Sequence, residues 1–144
     1  MFRGNHPARV DEKGRLKVPA EFKRIFDEQY GTAFFITSFD GVQAEVFPMK
    51  EWEKIEADVE KMSGPAKKRF LRIANYNGQV VEIDGQGRLL LPQHLREKAG
   101  LVGELAVIGL QNHIAVVNDQ KQQQRMEGDP LTDADFETLG IPGL

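Results

Sequence analysis

Apolar and polar residues alternate along Arg15-Leu16-Lys17-Val18, the period of a half-buried strand with Leu16 and Val18 facing in. The period then changes. Phe22, Ile25 and Phe26 fall at i, i+3 and i+4, which predicts a helix over residues 20–30 with Gly31 at its C-terminal end. Residues 33–37 and 43–47 read as strands of a hairpin around Asp40-Gly41, and Pro48 closes that unit. A helix over 49–62 carries a stripe of Trp52, Ile55, Val59 and Met62 and stops at Ser63-Gly64-Pro65. A further helix is expected over 66–76. Strand, turn, strand and helix follow again at 79–83, 84–87, 88–91 and 92–99, the helix capped by Gly100. A second hairpin spans 105–110 and 113–117 around Gln111-Asn112. Asp119 is the expected N-cap of a last, polar helix ending at Met126.

The return of the same order reflects a repeat. Val10-Asp11-Glu12-Lys13-Gly14-Arg15-Leu16-Lys17-Val18-Pro19 recurs 73 positions later as Ile83-Asp84-Gly85-Gln86-Gly87-Arg88-Leu89-Leu90-Leu91-Pro92. Past each proline the agreement continues as Phe22-Lys23 against Leu95-Arg96. In both copies Asp and Gly tolerate the positive φ of a tight reversal. Asp11, Gly14, Asp84 and Gly87 are therefore read as structural turn residues, with Asp and Arg at i and i+4 pairing across each turn. The proline that follows suits the start of a helix.

These residues resemble the SpoVT-AbrB (AbrB-like) family of DNA-binding β-hairpin modules. Two copies in one chain, together with Met1-Phe2-Arg3-Gly4 and Leu91-Pro92-Gln93-His94-Leu95-Arg96, are similar to the MraZ family over roughly residues 1–126. The resemblance implies an α+β fold of two swapped-hairpin modules related by an internal pseudo-twofold, with flanking helices. The first module would span 5–51 and the second 81–124, joined by a helical connection over 52–80. It also implies a sequence-specific transcriptional regulator of the division and cell-wall gene cluster, including its own gene, that assembles into homo-oligomeric rings.

Composition changes this picture at one point. The formal net charge is −3, unusual for a nucleic-acid binder, but the charge is sorted along the chain. Residues 1–24 hold seven basic residues against Asp11, Glu12 and Glu21, whereas residues 127–144 hold five acidic residues and no basic one. That acidic stretch reads as a mobile tail anchored only by Phe136, Leu139 and Ile141. The absence of cysteine removes disulfides and thiolate metal sites and fits a reducing cytoplasm. No apolar run has the length of a membrane helix.

Catalysis finds no support in the pattern. His6, His94 and His113 sit in different elements, without metal-ligand spacing or a nucleophile motif, and neither Gly-Arg turn has the order of a phosphate loop. The expectation is a non-enzyme with no cofactor, metal or small-molecule substrate. The candidate DNA-binding residues are Arg3, Arg9, Lys13, Arg15, Lys17 and Arg88. Where the first copy has Arg9, Lys13 and Lys17 the second has Glu82, Gln86 and Leu90, so a nucleic-acid surface is expected chiefly from the first copy, with its hairpin entering a groove as a ribbon. The expected partner is double-stranded DNA carrying direct repeats, in a cytoplasmic, nucleoid-associated setting. The basic run Lys67, Lys68, Arg69 and Arg72 reads as a solvated helix face. The alternative is a protein-interaction module working through the acidic tail and the acidic helix 49–62.

Overall fold

The computed structural model describes residues 1–142, so the last two positions of the acidic tail lie outside the described residues. Its elements in chain order are β1 (Asn5–Ala8), β2 (Arg15–Lys17), α1 (Ala20–Gln29), β3 (Ala33–Thr37), β4 (Ala44–Pro48), α2 (Met49–Glu60) and α3 (Pro65–Tyr76). There follow β5 (Gln79–Glu82), β6 (Arg88–Leu90), α4 (Gln93–Ala99), β7 (Leu105–Gly109), β8 (Ile114–Asn118), α5 (Asp119–Gly128) and α6 (Asp133–Leu139). The fold is α+β. A six-stranded antiparallel sheet runs β1-β7-β8-β4-β3-β5, and β2 and β6 form a separate two-stranded ribbon.

The sheet order carries the internal symmetry. β1 of the first copy pairs with β7 of the second, and β5 of the second pairs with β3 of the first. In the ribbon Leu16 stands opposite Leu89, its own counterpart in the repeat, and Arg15 and Lys17 face Leu90 and Arg88. Backbone bonds from Val18 N to Gly87 O (3.0 Å) and from Leu91 N to Gly14 O (2.9 Å) extend the same reciprocity. A pseudo-twofold axis therefore passes through the ribbon, and the two modules exchange strands across it. This corrects the expectation that the first turn joins two strands of its own hairpin. Val10 and Leu16 form one isolated bridge and Asp11 N bonds Arg15 O, but β1 and β2 then leave for different partners.

Apolar side chains of both copies meet on this axis. Leu16 and Leu89, Val18 and Leu91, Phe22 and Leu95, and Phe26 and Ala99 are equivalent pairs, and all lie in one buried cluster between the sheet, the ribbon, α1 and α4. Neither module could bury these faces alone, which is why the chain needs both copies to make one core. Phe2 completes that core. It is 1% exposed and meets the rings of Phe22, Phe26 and Tyr30 at 5.7, 5.3 and 6.0 Å, while its backbone pairs with Gln111. A Cβ at Gly109 would collide with the backbone of Phe2 and Arg3, so glycine there lets the N-terminal segment cross.

The other face of the sheet is covered unequally. On the first half Phe35, Phe47, Trp52 and Ala74 form a second buried cluster beneath α2 and α3, with Phe35 stacked on Trp52 at 4.5 Å. On the second half α5 has no buried residue and packs as a polar helix. Three local expectations are revised. The N-cap of α5 is Asn118, which accepts from Lys121 N at 3.1 Å, and Asp119 is the first helical residue. Helix α2 ends at Glu60, before Met62, which is 61% exposed. The acidic tail contains a regular element, α6, closed by a capping box between Thr132 and Asp135 and by Gly140 at φ 60°.

Candidate nucleic-acid interface

Each repeat turn is built around one carboxylate. Asp11 Oδ1 accepts from the backbone N–H of Lys13 and of Arg15, both at 2.9 Å, and its Oδ2 accepts from Arg15 Nε at 2.9 Å. Asp84 does the same, accepting from Gln86 N and Arg88 N at 2.9 Å and from Arg88 Nε at 2.8 Å. Gly14 and Gly87 close the turns at φ 84° and 77°, each donating its N–H to the aspartate carbonyl. Donors converging on the charged form, led by the backbone N–H of Arg15 or Arg88, hold both aspartates below the usual carboxylate value of 3.8. The arginines are thereby oriented through Nε. Their terminal nitrogens have no protein partner among the described residues, which leaves the forked donor edge of each guanidinium free for a planar or anionic acceptor.

Strand exchange decides which cations surround each turn. Lys17 Nζ donates to Gln86 O at 2.6 Å, on the second turn. Arg9, Lys17 and Lys23 line one groove together with Gly85, Gln86 and Gly87. Conversely, Arg96 of the second copy donates from Nε to Leu91 O at 3.0 Å and lies against Gly14, where an added Cβ would strike its guanidinium. Lys23 and Arg96 are equivalent positions, each laid beside the other copy's turn. The second turn is thus complemented from the first copy, with Arg9, Lys17 and Lys23 crossing to it, while the first turn holds Lys13, Arg15 and Arg96. Lys23 also pairs with Asp27 at 2.7 Å and Arg9 with Glu104 at 3.4 Å, side-chain contacts near the surface that a polyanion can displace.

A comparison of the whole chain with protein-family models matches the MraZ protein family over residues 1–73 and 77–138. This chain belongs to the MraZ family. Proteins named Transcriptional regulator MraZ are similar along its length: that of Acidobacterium capsulatum is 56% identical and that of Koribacter versatilis 45% identical, each over 100% of both chains. The one from Neisseria meningitidis is 31% identical over 88% of this chain and 85% of its own. The match of the MraZ model to both halves agrees with the two exchanged modules seen in the fold.

Within this MraZ-family fold not every candidate residue reaches the turns. Arg3 lies beside Gly109, Leu110 and Gln111, at the opposite end of β1 from Arg9. The four-residue strand β1 lies between these two. Lys23 and Arg96 were not among the candidates, although a basic residue at the same offset in both copies was visible in the repeat. The histidines are dispersed: His6 faces Glu21 and Phe22, His94 bonds Asn77, and His113 stacks on Phe47 at 4.2 Å. Among the described residues no cluster of His, Asp and Glu could hold a metal ion, and no helix is long and apolar enough to cross a membrane.

Proposed function

We propose that the chain is a sequence-specific, double-stranded DNA-binding transcriptional regulator, acting in the cytoplasm in association with the nucleoid. As its family resemblance implies, it would act on the promoter of the division and cell-wall gene cluster that includes its own gene. The observation that carries this reading is the pair of Asp-braced arginines, Arg15 and Arg88, each with further cations delivered by the opposite copy. Long basic side chains such as Lys13, Lys17 and Arg9 neutralise phosphates, and an arginine with its fork free matches the O6 and N7 acceptors of guanine. One chain then supplies one two-turn reading unit. Copies joined head to tail in a ring present these units with the same strand polarity, which favours direct repeats whose starts lie about 10–10.5 base pairs apart on one face of the duplex.

A gel shift with duplex DNA from upstream of the protein's own gene tests the proposal. Affinity should fall steeply with salt, because binding releases counterions. Arg15→Ala or Arg88→Ala should weaken specific binding by about 1–3 kcal/mol and relax sequence preference. Shifting the spacer by half a helical turn should abolish multi-repeat binding while a single repeat still binds weakly. Salt-insensitive binding, or arginine variants with unchanged affinity and preference, would reject the assignment.

A further inference from the structure

The chain carries a short helix that its own fold seats only through the half-buried Phe136. Helix α6 follows α5 as α3 follows α2, and α3 packs Phe70 and Ala74 against Phe35, Phe47 and Trp52. The second half of the sheet offers α6 no such aromatic cluster, and none of the residues of α6 is buried. Leu131, Leu139 and Ile141 are 68%, 59% and 43% exposed, while Phe136, one turn before Leu139, is half-buried. Seven residues are too few for a helix to hold in water on local interactions, even with both ends capped. A docking surface would supply what is missing. Asp129, Asp133, Asp135 and Glu137 make the segment purely acidic, so that surface should be basic and apolar at once.

Helix α3 presents such a surface. It contains Lys67, Lys68, Arg69 and Arg72 and no acidic residue. Arg69, Arg72, Ile73 and Tyr76 recur at i, i+3, i+4 and i+7 along an exposed face, where Ile73 and Tyr76 are 42% and 77% exposed. Beside this face Arg72, Ile73 and Tyr76 join Phe39, Lys98 and Asp40 in lining a cleft of about 360 Å³, with the Asp40 carboxylate already paired to Arg125 at 3.1 Å. That is room for the side chain of Phe136 or Leu139 between two cations.

We infer that α6 of one chain docks on the α3 face of a second copy, its apolar residues in the cleft and its carboxylates on Arg69, Arg72 and Lys98. Charge complementarity selects the occupant, since the acidic donor and the basic acceptor belong to the same chain and each is left over by its own fold. Two different surfaces meet, so the contact is heterologous and each added copy repeats it. This inference does not rest on DNA binding. It gives the acidic tail a role in assembly.

Because the chain contains no cysteine, introduced thiols report the contact without background. A Leu139→Cys chain mixed with a differently tagged Tyr76→Cys chain should give a mixed disulfide on mild oxidation. Leu139→Cys mixed with Val102→Cys, at a position 68% exposed on the other half of the molecule, should not. Arg72→Glu should lower the assembly mass in sedimentation, and adding Glu137→Arg should restore it. All the altered positions are exposed, and circular dichroism checks that each variant is folded. Equal disulfide yields in the two mixtures, or a disulfide formed only within a doubly substituted chain, would overturn the contact between copies. So would an Arg72→Glu variant that lost DNA affinity at unchanged mass, since that would make α3 a nucleic-acid surface.

Discussion

The two turns of this molecule are the same object in different surroundings. The corresponding hydrogen bonds around Asp11 and Asp84 agree to within 0.1 Å, and the glycines that close them differ by only 7° in φ. Around this constant frame the first turn keeps Lys13 and gains Arg96, whereas the second receives Arg9, Lys17 and Lys23. The difference teaches that in an exchanged fold the charge of a repeat does not stay with its own turn. Lys17 on β2 and Lys23 on α1 belong in space to the opposite copy, while Arg15 on β2 stays with its own turn. Divergence between the repeats at Arg9/Glu82 and Lys17/Leu90 therefore changes how each turn is complemented and leaves the turn itself intact.

The comparison breaks most severely if its shared axis is broken. Leu16 and Leu89 face each other at zero exposure in the ribbon that carries both turns. Leu89→Ala should cost about 2–5 kcal/mol of stability by transfer loss and cavity formation, and Leu16→Ala should cost the same within error because the sites are symmetric. Chemical denaturation measures both. A large cost at one site with little at the other would show that the core does not treat the copies as equivalent.

A smaller effect separates the two turns. Both Gly14 and Gly87 occupy the left-handed region, where any other L-residue is strained by about 1–2 kcal/mol. Gly14→Ala must in addition displace the Arg96 guanidinium, while a Cβ at Gly87 meets nothing nearer than Lys23 Cε at 3.6 Å. Gly14→Ala should therefore be the more destabilising, and Arg96→Ala should remove the excess in a double-mutant cycle. Equal losses at the two glycines would mean that Arg96 moves aside freely.

Much of the fold was legible in the sequence, because periodicity, turn residues and caps all point inward along the chain. The change from alternation at Leu16 and Val18 to helical spacing at Phe22, Ile25 and Phe26 located β2 and α1, and Gly100 marked the end of α4. Strand partners were another matter. Nothing in Arg15-Leu16-Lys17 states that its neighbour is Arg88-Leu89-Leu90, since alternation fixes the face a residue points to and not the strand it pairs with. The exchanged architecture came from the family resemblance, but its consequence for Lys17, Lys23 and Arg96 exists only in the folded chain, where strand exchange sets each beside the other copy's turn. Helix α6 escaped because a polar, Pro- and Gly-containing tail resembles disorder by composition, even though Thr132, Asp135 and Gly140 spell its caps.

The crossing of charge has its own signature in binding. Lys17→Ala removes one phosphate-neutralising group from the second turn, so affinity for all duplex sequences should fall together and the salt dependence should become shallower by about one unit of slope. Combined with Arg88→Ala the loss should be non-additive, since the two residues pair across the ribbon and share one turn. Combined with Arg15→Ala the losses should come closer to additivity. The reverse pattern, coupling of Lys17 to Arg15, would return the charge to its own copy.

The smallest expected effect tests whether the constant frame is truly constant. Both aspartates titrate below the unfolded value because backbone and guanidinium donors favour the carboxylate. A carboxyl whose folded pKa is depressed contributes stability that is fully present above the unfolded pKa and lost as pH falls through the folded one. The window lies at and below about pH 4. Asp11→Asn and Asp84→Asn should each flatten the acid limb of the stability profile there, and by matching amounts, because the two carboxylates accept the same set of bonds. Each should also release its arginine, since an amide nitrogen cannot accept from Nε. DNA preference should then relax in the variant while non-specific affinity, which depends on charge, is kept or rises. Thermal unfolding between pH 3 and 7, with binding measured at neutral pH, checks both consequences. Unequal acid limbs would mean that the cations crossing to the second turn reach into the frame itself.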